Sequence, residues 1–162
     1  MSITPIALAC LSAALVSAWT AGVFQSFSDF IMRGLVAAGT TAGMPAMQGL
    51  NRTVLRSFFL TGFFALVPAT LGLAIHAWSA LDGIAQGLIV LAAVTYLSSV
   101  FLLTVFGNVP MNNRLDRLDP LTEEGARYWD LYARRWTRLN HVRTAGSMFT
   151  SVLLIAAAWS LG

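Results

Sequence analysis

The sequence predicts an all-α protein, a four-helix transmembrane bundle with amphipathic helices in its two cytoplasmic loops. Residues of the set AVILMFWYC make up 57% of the 162-residue chain, and charged residues make up 10%, against about 25% in a soluble domain. The uncharged runs are also long enough to cross a bilayer, which takes about 20 apolar residues per helix. A soluble enzyme is therefore excluded, and residues 1–162 should form a single integral membrane domain.

Four uncharged runs define the predicted spans. We place them at residues 3–26, 57–77, 83–106 and 142–161. Backbone N–H and C=O groups must find partners in lipid, so a helical bundle is the natural arrangement. The N-terminal run lacks the basic n-region of a secretory signal, and its apolar stretch is too long for one, so we expect a retained first span.

The positions of the basic residues predict the orientation. All ten are arginines, and they lie in or beside the first and third loops. They are Arg33, Arg52, Arg56, Arg114, Arg117, Arg127, Arg134, Arg135, Arg138 and Arg143. The positive-inside rule then places both loops in the cytoplasm and both termini outside. The expected location is the inner membrane of a bacterium. Arginine excess is the only nucleic-acid signal, so no nucleic-acid partner is expected.

The first loop should contain a helix that begins at a proline, Pro45–Leu55. Met47, Leu50 and Val54 lie on one face of it at helical spacing. A helix with one apolar face, placed between two spans, is expected to lie against the membrane surface.

The third loop contains both a break and a helix start. The segment 107–110, Gly-Asn-Val-Pro, should break the third span, and Asp119 followed by Pro120 should begin a new helix. No Gly or Pro occurs between residues 126 and 145, and Glu123–Arg127 and Asp130–Arg134 are acid-before-base pairs four residues apart. The loop helix can therefore run directly into span four.

Three aromatic residues line one face of this third-loop helix. Trp129, Tyr132 and Trp136 follow one another at helical spacing. They are expected to form either an interfacial or packing stripe, which is the commoner use of Trp and Tyr near a membrane, or a surface on which a flat ring stacks.

Polar side chains gather at the cytoplasmic end of the predicted bundle. They are Gln25, Asp29, Gln48, Asn51, Arg52, Asn108, Asn112, Asn113, Asn140, His141, Arg143 and Thr144. Polar groups near hydrocarbon are costly unless paired, so those that face the bundle should form a connected network. The alternative is that they only cap helix ends and meet water.

His141 is the best single candidate for proton chemistry, because imidazole titrates near neutral pH. Asn140 and Arg143 are donors suited to a developing oxyanion, and Asp29 could orient the ring or pair with Arg143. His76 should lie near the opposite membrane face, so no shared two-histidine site is expected. Cys10 is the only cysteine, which excludes a disulfide or a cysteine-rich metal site within one chain.

Two segments carry a resemblance to a known family. Residues 108–115, NVPMNNRL, and 136–144, WTRLNHVRT, resemble the DUF1772 or anthrone oxygenase-like family of small membrane proteins. The segments Gln25-Ser26-Phe27 and Met47-Gln48-x-x-Asn51 are also similar to it, so the resemblance covers essentially the whole chain. It implies four spans, and some fungal relatives oxidise an anthrone to an anthraquinone with O₂, without an established organic cofactor.

Carried onto this sequence, the resemblance implies a site at its motif positions. These are Asn108, Asn112, Trp136, Asn140, His141 and Arg143. The leading hypothesis is that an apolar phenolic or anthrone-type substrate enters from the bilayer and His141 removes a proton. Asn108, Asn140 or Arg143 would stabilise the resulting anion, which reacts with O₂ as co-substrate. Trp136 and Trp129 would stack on the ring, with Asn112, Gln25 and Asp29 as further substrate-binding residues. No cofactor or metal ligand is predicted, although a metal held between protomers stays open.

The alternative hypothesis is a non-catalytic membrane component. Arg134, Arg135 and Arg138 would bind a partner or anionic membrane lipid, although topology alone also demands such a cluster. A carrier is a poorer third option, since the spans lack the acid expected for proton coupling. Gly83-xxx-Gly87 allows a homo-oligomer but is weak evidence for one.

Overall fold

The computed structural model describes residues 4–161, and this part of the chain consists of helices joined by short turns, without a strand. The helices are α1 (Pro5–Ser26), α2 (Met32–Ala37), α3 (Thr40–Val54), α4 (Phe58–Ala80), α5 (Gly83–Thr95), α6 (Val109–Asp116) and α7 (Glu123–Ser160). Short π-helical segments join α1 to α2 at Phe27–Ile31, and α5 to α6 at Tyr96–Leu102 and Thr104–Asn108. The predicted start of span one, residue 3, lies outside the described residues.

Four helical stretches are long and apolar enough to cross a membrane, as predicted. They are Pro5–Ala37, Phe58–Ala80, Gly83–Asp116 and Glu123–Ser160. The four-helix membrane fold is therefore confirmed. The first and third stretches are longer than expected because each continues through π-helical turns into a short helix beyond the predicted span.

The expected break in span three at 107–110 is wrong. The segment is helical: a π-helical turn ends at Asn108, and Pro110 lies in the first turn of α6. Pro110 directly follows the π-helical turn, where the regular hydrogen-bonding pattern of the α-helix is already interrupted. The wide π turns, in which N–H groups bond five residues back, pass smoothly into α6.

Helix α3 begins earlier than predicted, at Thr40 instead of Pro45, so Pro45 lies inside it. Gly39, with φ of +79°, makes the turn from α2, a backbone conformation that favours glycine. Gly43 then allows α3 to approach the Leu35 carbonyl of α2 closely. The amphipathic helix of the first loop is present, but its Met47 is buried among other helices.

Helix α7 runs through 38 residues without interruption, so the loop helix and span four are continuous, as the sequence allows. It begins after Thr122, whose side chain accepts a hydrogen bond from the Gly125 N–H at 3.1 Å, three residues later than the Asp119–Pro120 prediction. Of the two predicted pairs, Glu123–Arg127 forms a salt bridge of 3.1 Å, whereas Asp130–Arg134 forms none within the described chain. At 1.5 Å per residue α7 is about 57 Å long, so it extends well beyond about 30 Å of hydrocarbon.

Two buried clusters surround α7. In the spans, α7 packs closely on α1, where Ser17 donates to the Ser147 carbonyl at 2.8 Å and Ser151 donates to the Ala14 carbonyl at 2.9 Å. Beyond the spans, a second cluster joins α2, α3, α6 and the first half of α7. We call this the arginine end, because all ten arginines lie on or beside these elements.

Candidate functional site

A cavity of about 220 Å³ lies at the arginine end, among α1, α3, α4, α6 and α7. This volume equals that of about seven liquid water molecules at about 30 Å³ each, enough for one small ring compound. Its wall is mainly apolar and includes Phe24, Phe27, Phe59 and Phe63. The polar side chains on the wall are Asn51, Arg52, Thr104, Asn112, Asn113, Asp116 and Arg143.

Arg143 places a buried positive charge on this wall. Its side chain lies over the Phe24 ring, with Cζ 4.3 Å from the centroid, and beside the Trp136 ring at 5.1 Å. The guanidinium donates to Asn140 Oδ1 at 2.6 Å and to Thr104 Oγ1 at 3.4 Å, while Nε has no partner in the described chain. No carboxylate among residues 4–161 forms a salt bridge with it. The cavity therefore contains a cation that lacks an ionic partner in this part of the chain.

Asn140 holds Arg143 in place. Its side chain is fully buried and does not line the cavity. The amide nitrogen donates to the Phe24 carbonyl and to Ser28 Oγ, both at 2.6 Å, and the amide oxygen accepts from Arg143. Its partners lie at the end of α1 and in the π-helical turn that follows. Asn140 is therefore a positioning residue, and its hydrogen-bonding atoms are already engaged.

The two sequence motifs meet at Asn112. Its Oδ1 accepts hydrogen bonds from Trp136 Nε1 at 2.8 Å and from the Tyr132 hydroxyl at 2.9 Å. Asn51 donates to that hydroxyl at 3.4 Å, which adds α3 to the network. These bonds fix the Trp136 ring, which is packed against Phe27 at 5.8 Å between centroids.

Asn108 forms a hydrogen bond with the backbone of the same tryptophan. Its amide nitrogen donates to the Trp136 carbonyl at 3.3 Å, and it does not line the cavity. Its Oδ1 is buried without a partner in the described chain. Asn108 is therefore near the site but in no position to touch a ligand in the cavity.

His141 lies outside the cavity, contrary to the expected cluster. It is exposed, and it is absent from the cavity wall. A helix turns about 100° per residue, so the residue after Asn140 points to another side of α7. His141 instead continues the ridge formed by Arg134 and Arg138, at steps of four and three residues.

The remaining predicted substrate contacts are not in the cavity either. Gln25 and Asp29 are exposed and do not line it, and the suggested Asp29–Arg143 pair does not form. Trp129 is buried one layer away, where it stacks on Tyr132 with centroids 5.9 Å apart. The aromatic face of α7 is therefore a packing stripe over most of its length, and only Trp136 reaches the cavity.

Sequence reasoning placed Arg52 among the polar residues of this end but did not predict its salt bridge with Asp116 at the rim of the cavity. Arg52 Nε and Asp116 Oδ1 are 2.7 Å apart across the opening between α3 and α6. Gln48 keeps these helices together by donating to the Leu115 and Leu118 carbonyls at 2.9 and 3.0 Å, at the C-terminal end of α6. The Met47-Gln48-x-x-Asn51 segment marked this helix, but nothing in it indicated the partner on α6.

The profile of one protein family, described as anthrone oxygenase, matches residues 52–153 of the chain. The chain belongs to the anthrone oxygenase family, also called DUF1772. No curated protein and no solved structure matches it. The matched segment of this anthrone oxygenase family member contains Asn112, Trp136, Asn140 and Arg143. The α1 wall of the cavity and the first part of its α3 wall precede that segment.

The cavity of this family member offers few metal ligands. Among residues 4–161, no group of three His, Cys, Asp or Glu side chains is placed to hold a metal ion. The side chains on the wall instead supply a cation, amides and aromatic faces. This set suits an anionic or hydrogen-bonding ring compound.

Proposed function

We propose that the protein is an oxygenase that oxidises an apolar phenolic or anthrone-type substrate with O₂ in this cavity. The observation that carries the proposal is Arg143, a buried guanidinium that has no ionic partner among residues 4–161 and lies on a mainly apolar wall. Family membership supports the reaction class, and the substrate class is our inference from the chemistry of the wall.

Arg143 would act by stabilising an anion. A buried charge is costly unless it is compensated, and the Asn140 and Thr104 oxygens compensate it only in part. An adjacent cation favours the deprotonated form of an acidic ligand, and a preorganised donor in a site of low dielectric stabilises developing negative charge strongly. A phenolate or enolate bound against Arg143 would therefore form more readily than in water.

The aromatic wall would orient the substrate. The Trp136 ring is fixed by its bond to Asn112, and the phenylalanines of the wall provide an apolar surface for a flat ring. Once the enolate forms, its carbon bonds to O₂. Loss of the second C–H proton and cleavage of the O–O bond then give the C=O group and release water. Conversion of CH₂ to C=O by one O₂ with one water released balances without a further reductant.

We assign proton acceptance to Asp116 instead of His141. Asp116 is the only Asp, Glu or His among the lining residues of the described chain, and it lies at the polar rim beside Arg52. His141, on another side of α7, could take part only after a rearrangement.

The test is O₂ uptake by the detergent-solubilised protein with a panel of anthrones and hydroquinones. Removing one oxyanion donor typically costs 10²- to 10³-fold in rate, so Arg143→Met should lower the catalysed rate by about a hundredfold. The exposed Arg135→Met is the matched control and should retain activity. Uptake by Arg143→Met equal to that of the wild type would refute the proposal.

Two further variants separate the proton acceptors. Asp116→Asn should slow uptake by about a hundredfold, within the usual range for a general base, while His141→Ala should retain it. The opposite pattern would restore the histidine of the leading sequence hypothesis and leave the role of Arg143 to be judged by its own variant.

A further inference from the structure

A second, wider cavity of about 520 Å³ forms a groove on the outer surface of the arginine end, between α2 and α7. It shares no lining residue with the candidate site. One side consists of Ser28, Met32, Arg33, Val36 and Ala37, and the other of Asp130, Ala133, Arg134, Thr137 and Arg138. We call it the α2–α7 groove.

Its charges are not neutralised within the described chain. Arg33, Arg134 and Arg138 are exposed, and none of them belongs to the salt bridges formed among residues 4–161. Arg134 and Arg138 are like charges four residues apart, a spacing that disfavours a helix slightly. Arg33 adds a third positive charge from α2. Asp130 is the one carboxylate in the lining, so the groove keeps a net charge of about +2 by count of its ionisable side chains.

The groove combines this charge with apolar walls. Met32, Val36, Ala37 and Ala133 line it together with the arginines. The buried Thr137 hydroxyl has no partner in the described chain, so a further polar contact is available. A site for a soluble anion alone would not need the apolar side chains.

The end of the groove nearest the bilayer, at Arg138, lies at the level of the lipid headgroup layer. The uncharged run of span four begins directly after Arg143, and Arg138 precedes Arg143 by about 8 Å along the helix axis. The headgroup layer extends about 5–8 Å beyond the hydrocarbon on each side. His141, exposed on the same ridge as Arg134 and Arg138, continues this face toward the bilayer.

We propose that the α2–α7 groove binds the phosphate headgroup of an anionic phospholipid. Arg33, Arg134 and Arg138 would hold the phosphate, and the apolar side chains would contact the glycerol and the first acyl carbons. Anionic lipid is enriched in the cytoplasmic leaflet, which is the side where the positive-inside rule puts these arginines. The proposal is independent of the oxidation, because the two cavities share no residue.

The test measures lipid binding by the full chain. The detergent-purified protein is titrated with short-chain phosphatidylglycerol, with short-chain phosphatidylcholine and with inorganic phosphate, and retained ligand is counted by native mass spectrometry. The groove variant is Arg33→Gln/Arg134→Gln/Arg138→Gln. Arg56→Gln/Arg117→Gln/Arg135→Gln is the control, because it removes the same charge from exposed arginines that do not line the groove.

Three arginines near a lipid surface account for about a hundredfold in affinity for anionic lipid. The groove variant should therefore bind phosphatidylglycerol about a hundredfold more weakly, and the control should lose much less, because its arginines do not line the groove. Phosphatidylcholine should bind weakly to all three proteins. Equal losses in both triple variants, or no loss in the groove variant, would overturn the proposal. Inorganic phosphate that binds as tightly as phosphatidylglycerol would also overturn it, in favour of a soluble anion.

A single variant covers the case in which the groove variant fails to fold. Asp130→Asn removes the one carboxylate that opposes a bound phosphate, and it changes an exposed side chain. It should bind phosphatidylglycerol several-fold more tightly. Unchanged or weaker binding by this variant would count against the groove.

Discussion

Replacing Asn140 by alanine removes the residue that fixes Arg143 in the cavity wall. The variant loses two neutral hydrogen bonds, to the Phe24 carbonyl and Ser28 Oγ, and one bond to the guanidinium. At about 1 kcal/mol for each neutral bond and about 1.5–3 kcal/mol for the charged one, the free energy of unfolding should fall by about 4 kcal/mol. Hydrogen bonds inside membrane proteins are often weaker than this, so about 4 kcal/mol is an upper value for the loss of unfolding free energy.

The interaction energy between Asn140 and Arg143 tests this role more directly than the total loss of stability does. In an Arg143→Met background the charged bond is already absent, so Asn140→Ala should cost only about 2 kcal/mol, the value of its two neutral bonds. The difference between the two backgrounds, about 1.5–3 kcal/mol, is the interaction energy of a double-mutant cycle.

The assay is unfolding of the wild type, both single variants and the double variant in detergent micelles, by SDS titration followed with far-UV circular dichroism. Residues that do not interact give costs that add to within about 0.5 kcal/mol. Additivity at that level would refute the reasoning, since it would mean that Asn140 does not hold the guanidinium.

Two matched pairs of variants test the packing of the arginine end. Gly43→Ala should destabilise the fold by about 1–3 kcal/mol, because a Cβ there would overlap the Leu35 carbonyl. A Cβ at Gly49, on the exposed face of the same helix, would meet no atom within 4 Å. Gly49→Ala should therefore be neutral or stabilise the fold by up to about 1 kcal/mol. Thermal unfolding of both variants measures the difference, and equal shifts of the unfolding temperature would contradict the prediction. Trp136→Phe should lower O₂ uptake, since it removes the N–H that fixes the ring in the cavity wall. Trp129→Phe should lower only the unfolding temperature. Loss of O₂ uptake in the Trp129 variant would show that Trp129 also contributes to substrate oxidation.

The number of spans was predictable from hydropathy, because each uncharged run is long enough to cross the hydrocarbon and arginines separate the runs on one side only. The continuity of span three was not. Gly107 and Pro110 are ordinary helix breakers, and their effect here depends on the π-helical turns between Thr104 and Asn108. Because such π-helical turns are rare, a break at Gly107 and Pro110 was the ordinary expectation from the sequence.

The position of His141 outside the cavity was not predicted from the sequence. Asn140, His141 and Arg143 are close in sequence, and only their rotation about α7 decides which of them face the interior. A signal was nevertheless present in the aromatic stripe. Continued from Trp136 in steps of four and three residues, it reaches Asn140 and Arg143 and passes over His141. The same periodicity that predicts a buried face therefore selects the two residues that are buried here, Asn140 and Arg143.

The energetics of Arg143 connect the fold to the proposed chemistry. Burial of a guanidinium without an ionic partner lowers stability, and a well-packed apolar side chain at such a position is often neutral or better for folding. Here the fold instead provides two oxygens and two aromatic faces to hold the charge. Because electrostatic effects grow as the surroundings become less polar, the same burial that disfavours the free cation strengthens its attraction for an anion formed in the cavity. The cost of burial in the ligand-free protein and the stabilisation of a bound anion therefore have one physical origin, and an apolar residue at position 143 would remove both.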